Sequence, residues 1–247
     1  MQNPYESPQI VDDYLFFHYA TLEETCGDLP VPQEAWGFPV RFVHELLDTS
    51  KPLESALDVG CAVGASSFEL ARHAAHVVGV DFSKAFIDSA IALKANARLQ
   101  ASVPAEGKKR QHFSACIPQD IDRGRVTFET GDAMALRADL GCFDVVLAAN
   151  LLCRLPDPLQ FLDRLPALVR TGGQLLLATP FSWLPEYTPV EKWLGGRPDA
   201  PSSIEILKQK LSSHFIMELE TNIPFLIREH SRKFQYGISL GTRWRRR

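Results

Sequence analysis

Residues 57–64 read Leu57-Asp58-Val59-Gly60-Cys61-Ala62-Val63-Gly64, and this stretch decides the fold. It completes a short apolar strand over 56–59 and runs into a glycine turn. Phe68, Leu70 and Ala71 then mark a helix over 66–73. A second apolar strand, 76–80, ends at Asp81. Ser83 stands as the N-cap of a further helix, on which Phe86, Ala90, Leu93 and Ala97 recur at helical spacing. Strand, helix, strand, helix is the order that builds a parallel sheet, because parallel neighbours need a crossover between them.

Outward from this unit, strands are expected at 126–129, 143–149 and 174–179. The run 143–149 is almost unbroken in apolar residues, which suits a sheet centre. A helix over 158–169 is closed by Gly172-Gly173, another covers 204–211, and two longer strands, 215–228 and 234–244, end the chain. Residues 98–125 are polar around Gly107-Lys108-Lys109-Arg110 and read as a long surface insertion with room for a short helix. On the N-terminal side, 40–47 is a helix with Val40, Val43 and Leu47 on one face. Before it, 29–39 is a proline-rich loop and 12–19 (DDYLFFHY) an aromatic helix. With no repeat and no clean linker, 1–247 reads as a single domain. Residues 1–50 form an N-terminal helical lid, and 51–247 form a core that carries the 98–125 insertion.

The 247 residues are 45% hydrophobic and 23% charged, an ordinary globular balance. Against 30 acidic residues there are 26 basic ones, a net charge of -4. That gives no electrostatic reason to favour nucleic acid or an anionic membrane. The basic end, Trp244-Arg245-Arg246-Arg247, is read as a solvated terminus. Five cysteines at 26, 61, 116, 142 and 153 are odd in number and form no CxxC pair, which argues against a disulfide framework or a zinc finger. Residues 1–7 are polar and lack signal-peptide character. No apolar run reaches spanning length. A cytoplasmic protein with reduced thiols is expected, with no metal, since there is neither HExxH nor a Cys/His cluster.

The turn after the first strand lets a ligand approach the backbone, and the helix behind it presents unpaired N–H groups. The GxGxxG spacing of a dinucleotide cradle is missing, because Ala62 stands two residues after Gly60. Asp81 ends the second strand about 20 residues beyond the turn, where a carboxylate accepts both hydroxyls of a ribose. Asp132, in Gly131-Asp132-Ala133 after the next strand, can accept from an adenine amino group while a neighbouring backbone N–H reaches a ring nitrogen. Together these read as an adenosine site without a phosphate site, for which S-adenosylmethionine is the natural occupant. Asp58 is placed to hold the methionine ammonium, directly or through water. Each aspartate alone reads equally well as a cap or turn residue; the ordered set carries the inference.

The order DVGCAVG (58–64), VVGVD (77–81), TGDA (130–133) and FDVVLAANLL (143–152) resembles the class I S-adenosylmethionine-dependent methyltransferases over roughly residues 40–180. The resemblance implies an α/β, Rossmann-like, seven-stranded, mostly parallel sheet with an antiparallel last strand and helices on both faces. It implies that Gly60, Asp81, Asp132, Ala133 and Asn150 surround the cofactor; Asp58, Cys61, Ala62, Gly64 and Phe82 complete the candidate set. The usual middle glycine is Ala62 here, which is tolerable if its φ stays below zero. Cys61 is read as a small packing residue rather than a nucleophile.

The flanks are similar to the 5-thiohistidine N-methyltransferase of ovothiol biosynthesis: residues 3–6, 14–15 and 17–19 at one end, and 223–229, 232–237 and 242–244 at the other. This resemblance implies methyl transfer to the π imidazole nitrogen of 5-thiohistidine to give ovothiol A, downstream of a sulfoxide synthase and a lyase. Such a substrate needs donors for its carboxylate and aromatic walls for its ring. Tyr14, Phe17, His18 and Tyr19 are the candidate walls. Tyr14 and His18 share a helix face that Phe17 and Tyr19 do not both join, so some must pack rather than bind. Tyr14, His18 and Asn150 are the catalytic candidates, although the thiolate makes the ring electron-rich enough to need no dedicated base. Arg228 is the choice for the carboxylate, with a surface ion pair as the alternative, and Arg154 is a further candidate. Two rivals stay open: a methyltransferase for another small molecule, such as a quinone or fatty acid, and a non-catalytic S-adenosylmethionine-binding regulatory module.

Overall fold

The computed structural model describes residues 4–247. Residues 1–3, the start of the polar lead and of the N-terminal flank, lie outside the described residues. In chain order the elements are α1 (Pro8–Tyr19), α2 (Leu22–Cys26), α3 (Phe38–Leu46), β1 (Leu53–Val59), α4 (Ala65–Leu70), β2 (Ala74–Asp81) and α5 (Lys84–Asn96). Then follow β3 (Arg98–Glu106), β4 (Lys109–Cys116), β5 (Val126–Thr130), β6 (Phe143–Ala149), α6 (Pro158–Leu168), β7 (Val169–Thr179), α7 (Ser203–Leu211), β8 (Phe215–His230) and β9 (Lys233–Arg246).

Seven strands make one sheet in the order β5-β2-β1-β6-β7-β9-β8. The pairings of β1 with β2 and β6, of β2 with β5 and of β6 with β7 are parallel. Only β9 runs against its neighbours, β7 and β8. Strand periodicity sorts the core into two layers. Val145, Leu147, Leu176 and Ala178 face a layer that includes α1, α3, α4 and α5. Val146, Ala148, Leu175 and Leu177 face the opposite layer, with α6 and α7. The central strand β6 is thus apolar on both sides, as its unbroken run requires. Strand β7 starts earlier than 174 because Val169 already pairs with Phe143 before Gly172-Gly173 carries the chain to Gln174.

Within residues 98–125, where an insertion with room for a short helix is expected, the short helix is a 3-10 turn over Arg123–Arg125 and most of the rest is strand. Strands β3 and β4 pair as an antiparallel hairpin. Ala101, Val103, Phe113 and Ala115 are buried core residues of that hairpin, while its charges face outward. Helix α1 lies on it. Leu15 and Phe16 are buried, and Phe16 meets the Phe113 ring edge-on at 4.9 Å. The helix also begins earlier than residue 12, with Pro8 at its first position, where a missing N–H costs nothing. One face of α1 is therefore core, and the N-terminal region is more than a lid.

Candidate active site

Strands β1, β2, β5 and β6 end on one edge of the sheet. After β1, the N–H groups of Gly60 and Cys61 donate to the Val80 carbonyl at 2.8 and 3.1 Å, pinning the turn to β2. The Asp81 carboxylate accepts from the backbone of Ala62 and of Ser83, each at 2.8 Å. Ala62 has a φ of 47°, so the condition of a φ below zero is not met. A left-handed residue with a side chain costs about 1–2 kcal/mol, and its bond to Asp81 holds it there. Gly64, at φ 90°, opens α4, and a Cβ there would sit 2.7 Å from the Phe128 ring. Tyr19 reaches down from α1 to donate to the Val63 carbonyl at 2.8 Å. Its hydroxyl braces the turn rather than lining a substrate wall.

Asp58 is buried beneath the turn, and one hydrogen bond to its carboxylate is described, from Ser67 at 2.7 Å. Burial pushes its carboxyl up to about 7, and the Ser67 bond only partly offsets this. Burial also raises Asp81, against the pull of its backbone donors. Beside Asp81 the Phe82 ring is left 62% exposed. At the end of β5, Gly131 donates to the Asp81 carbonyl, and Asp132 accepts from the Met134 N–H at 2.8 Å to open the turn that begins at Ala133. Among the described residues no cationic side chain pairs with the buried Asp58, and an uncovered aromatic face lies next to a carboxylate. That chemistry fits an amino-acid nucleoside such as S-adenosylmethionine. The buried Cys61 thiol is raised by burial first, then by Asp58 and Asp81, so it stays protonated and inert.

Helix α1 roofs this edge. Ser83 donates to the Tyr5 carbonyl, and the Glu6 carboxylate accepts from the first N–H groups of α5. Tyr14 packs on Phe86 at 4.6 Å. Burial and the Asp81 charge push its phenol up to about 12. The His18 ring lies 6.0 Å from Tyr14 and 5.5 Å from Phe17. Burial lowers it to about 3, and its Nδ1 is shut off from solvent with no hydrogen-bond partner among the described residues. Near neutral pH the Tyr14 phenol keeps its proton and the His18 imidazole is neutral. Phe17 stacks on Phe38, which meets Phe225 of β8 edge-on.

Asn150 follows β6 with a φ of 53°. Its N–H donates to the Ala178 carbonyl, and its Oδ1 accepts from Ser239 Oγ of β9 at 2.7 Å. Arg154 lies 4.9 Å over the Tyr187 ring and donates to the carbonyls of Cys153 and Ser182, strapping the loops after β6 and β7 together. Arg228 goes elsewhere. It is buried 5.0 Å over Phe16 and donates to the Glu24 carbonyl at 2.6 Å. Phe16 lies about 160–200° around α1 from Tyr14 and His18. The expectation that Arg228 faces the substrate is thus corrected: it anchors α2 to β8. Sequence reasoning missed Ser239, Phe38 and Tyr187. A hydroxyl turned inward on the alternating strand β9 was the one signal that pointed to Ser239.

Two surface hollows of about 480 and 560 Å³ lie away from the strand ends, one between α6 and α7 and one between the tips of the two hairpins. Neither holds the residues above, so the chemistry rather than hollow size locates the site. Among the described residues no group of three or more His, Cys, Asp or Glu is gathered as if for a metal. No helix there is long and apolar enough to cross a membrane.

A family model described as a methyltransferase domain matches residues 33–214. The chain is 30% identical over 158 residues to the 2-methyl-6-phytyl-1,4-hydroquinone methyltransferase of Synechocystis, covering 62% of this chain and 42% of that protein. It is 29% identical over 141 residues to a ubiquinone biosynthesis O-methyltransferase of Coxiella burnetii, covering 57% and 50%. The chain thus spans about half the length of these relatives. Among solved structures it is similar to the N-methyltransferase NodS of Bradyrhizobium japonicum in complex with S-adenosylhomocysteine. The TM-score is 0.54 at 14% identity, covering 96% of this chain and 98% of that one. The chain belongs to the methyltransferase-domain family and has its class I, Rossmann-like fold, for which S-adenosylmethionine is the methyl donor.

Proposed function

We propose that the chain is an S-adenosylmethionine-dependent N-methyltransferase, acting as a single domain in a reducing cytoplasm, that methylates the π imidazole nitrogen of 5-thiohistidine. The substrate would come from upstream sulfoxide synthase and lyase steps. One observation carries this reading: the two flanks that resemble the ovothiol enzyme meet over the sheet edge. The α1 residues Phe17 and His18 join Phe38 and Phe225 in an aromatic row, and Ser239 of β9 bonds Asn150.

In this reading Asp81 holds the ribose hydroxyls while keeping its bonds to Ala62 and Ser83. Asp58 meets the ammonium, Asp132 with the Ala133 backbone takes the adenine edge, and Phe82 covers the adenine face. Bound there, S-adenosylmethionine supplies a methyl group that a ring nitrogen takes on its lone pair as the carbon–sulfur bond breaks, leaving S-adenosylhomocysteine. Positioning does most of the chain's work. Phe17 and neutral His18 flank the ring, Tyr14 closes the site beside Asp81, and Asn150 offers a polar contact. The thiolate makes the ring electron-rich, so its proton can be lost before or after transfer without a dedicated base.

The names of the two relatives, a hydroquinone methyltransferase and a ubiquinone biosynthesis O-methyltransferase, favour a second acceptor class, a hydroquinone or quinone precursor. Parallel assays with reduced 5-thiohistidine, its disulfide, histidine and a hydroquinone separate the readings. Only 5-thiohistidine is expected to turn over. A site built to satisfy its sulfur loses a polar partner with histidine, a discrimination that reaches about 10⁴-fold. Methylation of the hydroquinone without 5-thiohistidine contradicts the proposal, and equal turnover of histidine removes the specificity.

A further inference from the structure

We infer that Ser239 is a positioning residue: it turns Asn150 so that the site presents a hydrogen-bond donor to a second lone-pair atom of a planar methyl acceptor. The inference rests on the methyl-transfer reading above. Asn150 is held from two sides. Its backbone N–H is tied to Ala178, and its positive φ suits a short polar side chain. The Ser239 hydroxyl, fully buried, donates to Oδ1.

An amide has one oxygen to accept with and one NH2 to donate with. With Oδ1 turned toward Ser239, the NH2 is the end of the amide turned away from it, which leaves a donor to offer a substrate. The reverse orientation would leave the Ser239 proton without an acceptor, because Asn150 is the one hydrogen-bond partner of that side chain among the described residues. Burying a hydroxyl proton without an acceptor is unfavourable, which favours Oδ1 toward Ser239.

The surroundings narrow the acceptor further. Ser239 shares its face of β9 with Gly237, over which the Phe225 ring lies so closely that a Cβ would come within 2.2 Å. Phe225, Phe38 and Phe17 continue as a row of rings. A donor at the end of that row cannot usefully bind the lone pair that attacks, because the bond would tie up the nucleophile. It binds another lone pair on the same flat molecule. The favoured substrate is a ring with two nearby lone-pair atoms, one to be methylated and one, such as a thiolate or oxyanion, gripped by the Asn150 NH2. An acceptor without the second atom leaves that amide unpaired.

The test is a double-mutant cycle of wild type, Ser239→Ala, Asn150→Ala and the double variant. The first readout needs no substrate: the Asn150 side-chain NH2 signals in ¹⁵N-labelled protein. The second is the KM and kcat for 5-thiohistidine, with circular dichroism and the thermal midpoint as the control for folding. Ser239→Ala is expected to shift the NH2 signals and raise KM about tenfold, the loss of one hydrogen bond to a charged group. It is expected to add nothing once Asn150 is alanine. Unmoved NH2 signals, or fully additive effects, overturn the inference. If wild type binds S-adenosylhomocysteine yet leaves 5-thiohistidine unmethylated, the substrate reading fails, and the NH2 signals still decide the role of Ser239.

Discussion

Asp58 is buried and His18 half-buried, and their shifts oppose each other. Burial raises Asp58 from 3.8 to about 7 and lowers His18 from 6.5 to about 3. A raised carboxyl stabilises the fold below the unfolded value and loses that contribution as pH rises through 7. A lowered imidazole stabilises it above the unfolded value and loses that contribution as pH falls. Between about pH 4 and 6.5 the two slopes cancel. Thermal unfolding across this window is therefore expected to separate the single variants. Relative to wild type, Asp58→Asn loses stability as pH falls, and His18→Phe gains it. Parallel curves for all three proteins contradict the assignment. Asp81 was legible in the sequence because it ends a strand that the apolar pattern marks; Asp58 lies one residue inside such a strand end and Asp132 two residues beyond one. The destination of Arg228 was not, because alternation names opposite faces but not what covers each one.

At the scale of elements, the βα alternation from β1 to α5 was readable, along with β5, β6 and the closing strands. The β3–β4 hairpin was not. Its exposed lysines and arginines masked the period-two burial of Ala101, Val103, Phe113 and Ala115 around the turn at Gly107. The tight joint between β2 and β5 was equally hidden, since it depends on a cross-strand pair. Gly79 lies opposite Phe128, and a Cβ on Gly79 would meet that ring at 2.7 Å and the Ser67 hydroxyl at 2.9 Å. Gly79→Ala is expected to destabilise the fold by about 1–3 kcal/mol through overpacking. The companion change Phe128→Leu should recover part of the loss. Thermal melts settle this, and an unchanged midpoint in Gly79→Ala would show that the ring yields freely.

Across the whole molecule, a sheet legible in outline supports a site whose lower half was also legible. The turn, Asp81 and Asp132 come from strand ends that the sequence pattern orders. The upper half comes from segments far apart in the chain, α1 and the β8–β9 hairpin, and their meeting with α3 follows from packing that no local pattern encodes. Everything proposed for the acceptor depends on the lower half holding S-adenosylmethionine. Calorimetric titration of S-adenosylmethionine into wild type and Asp81→Ala tests that dependence most directly. One binding site in wild type, weakened by about 1–3 kcal/mol in a folded Asp81→Ala protein, is the expected result. Undiminished affinity in that variant, or no binding to wild type, would contradict the account.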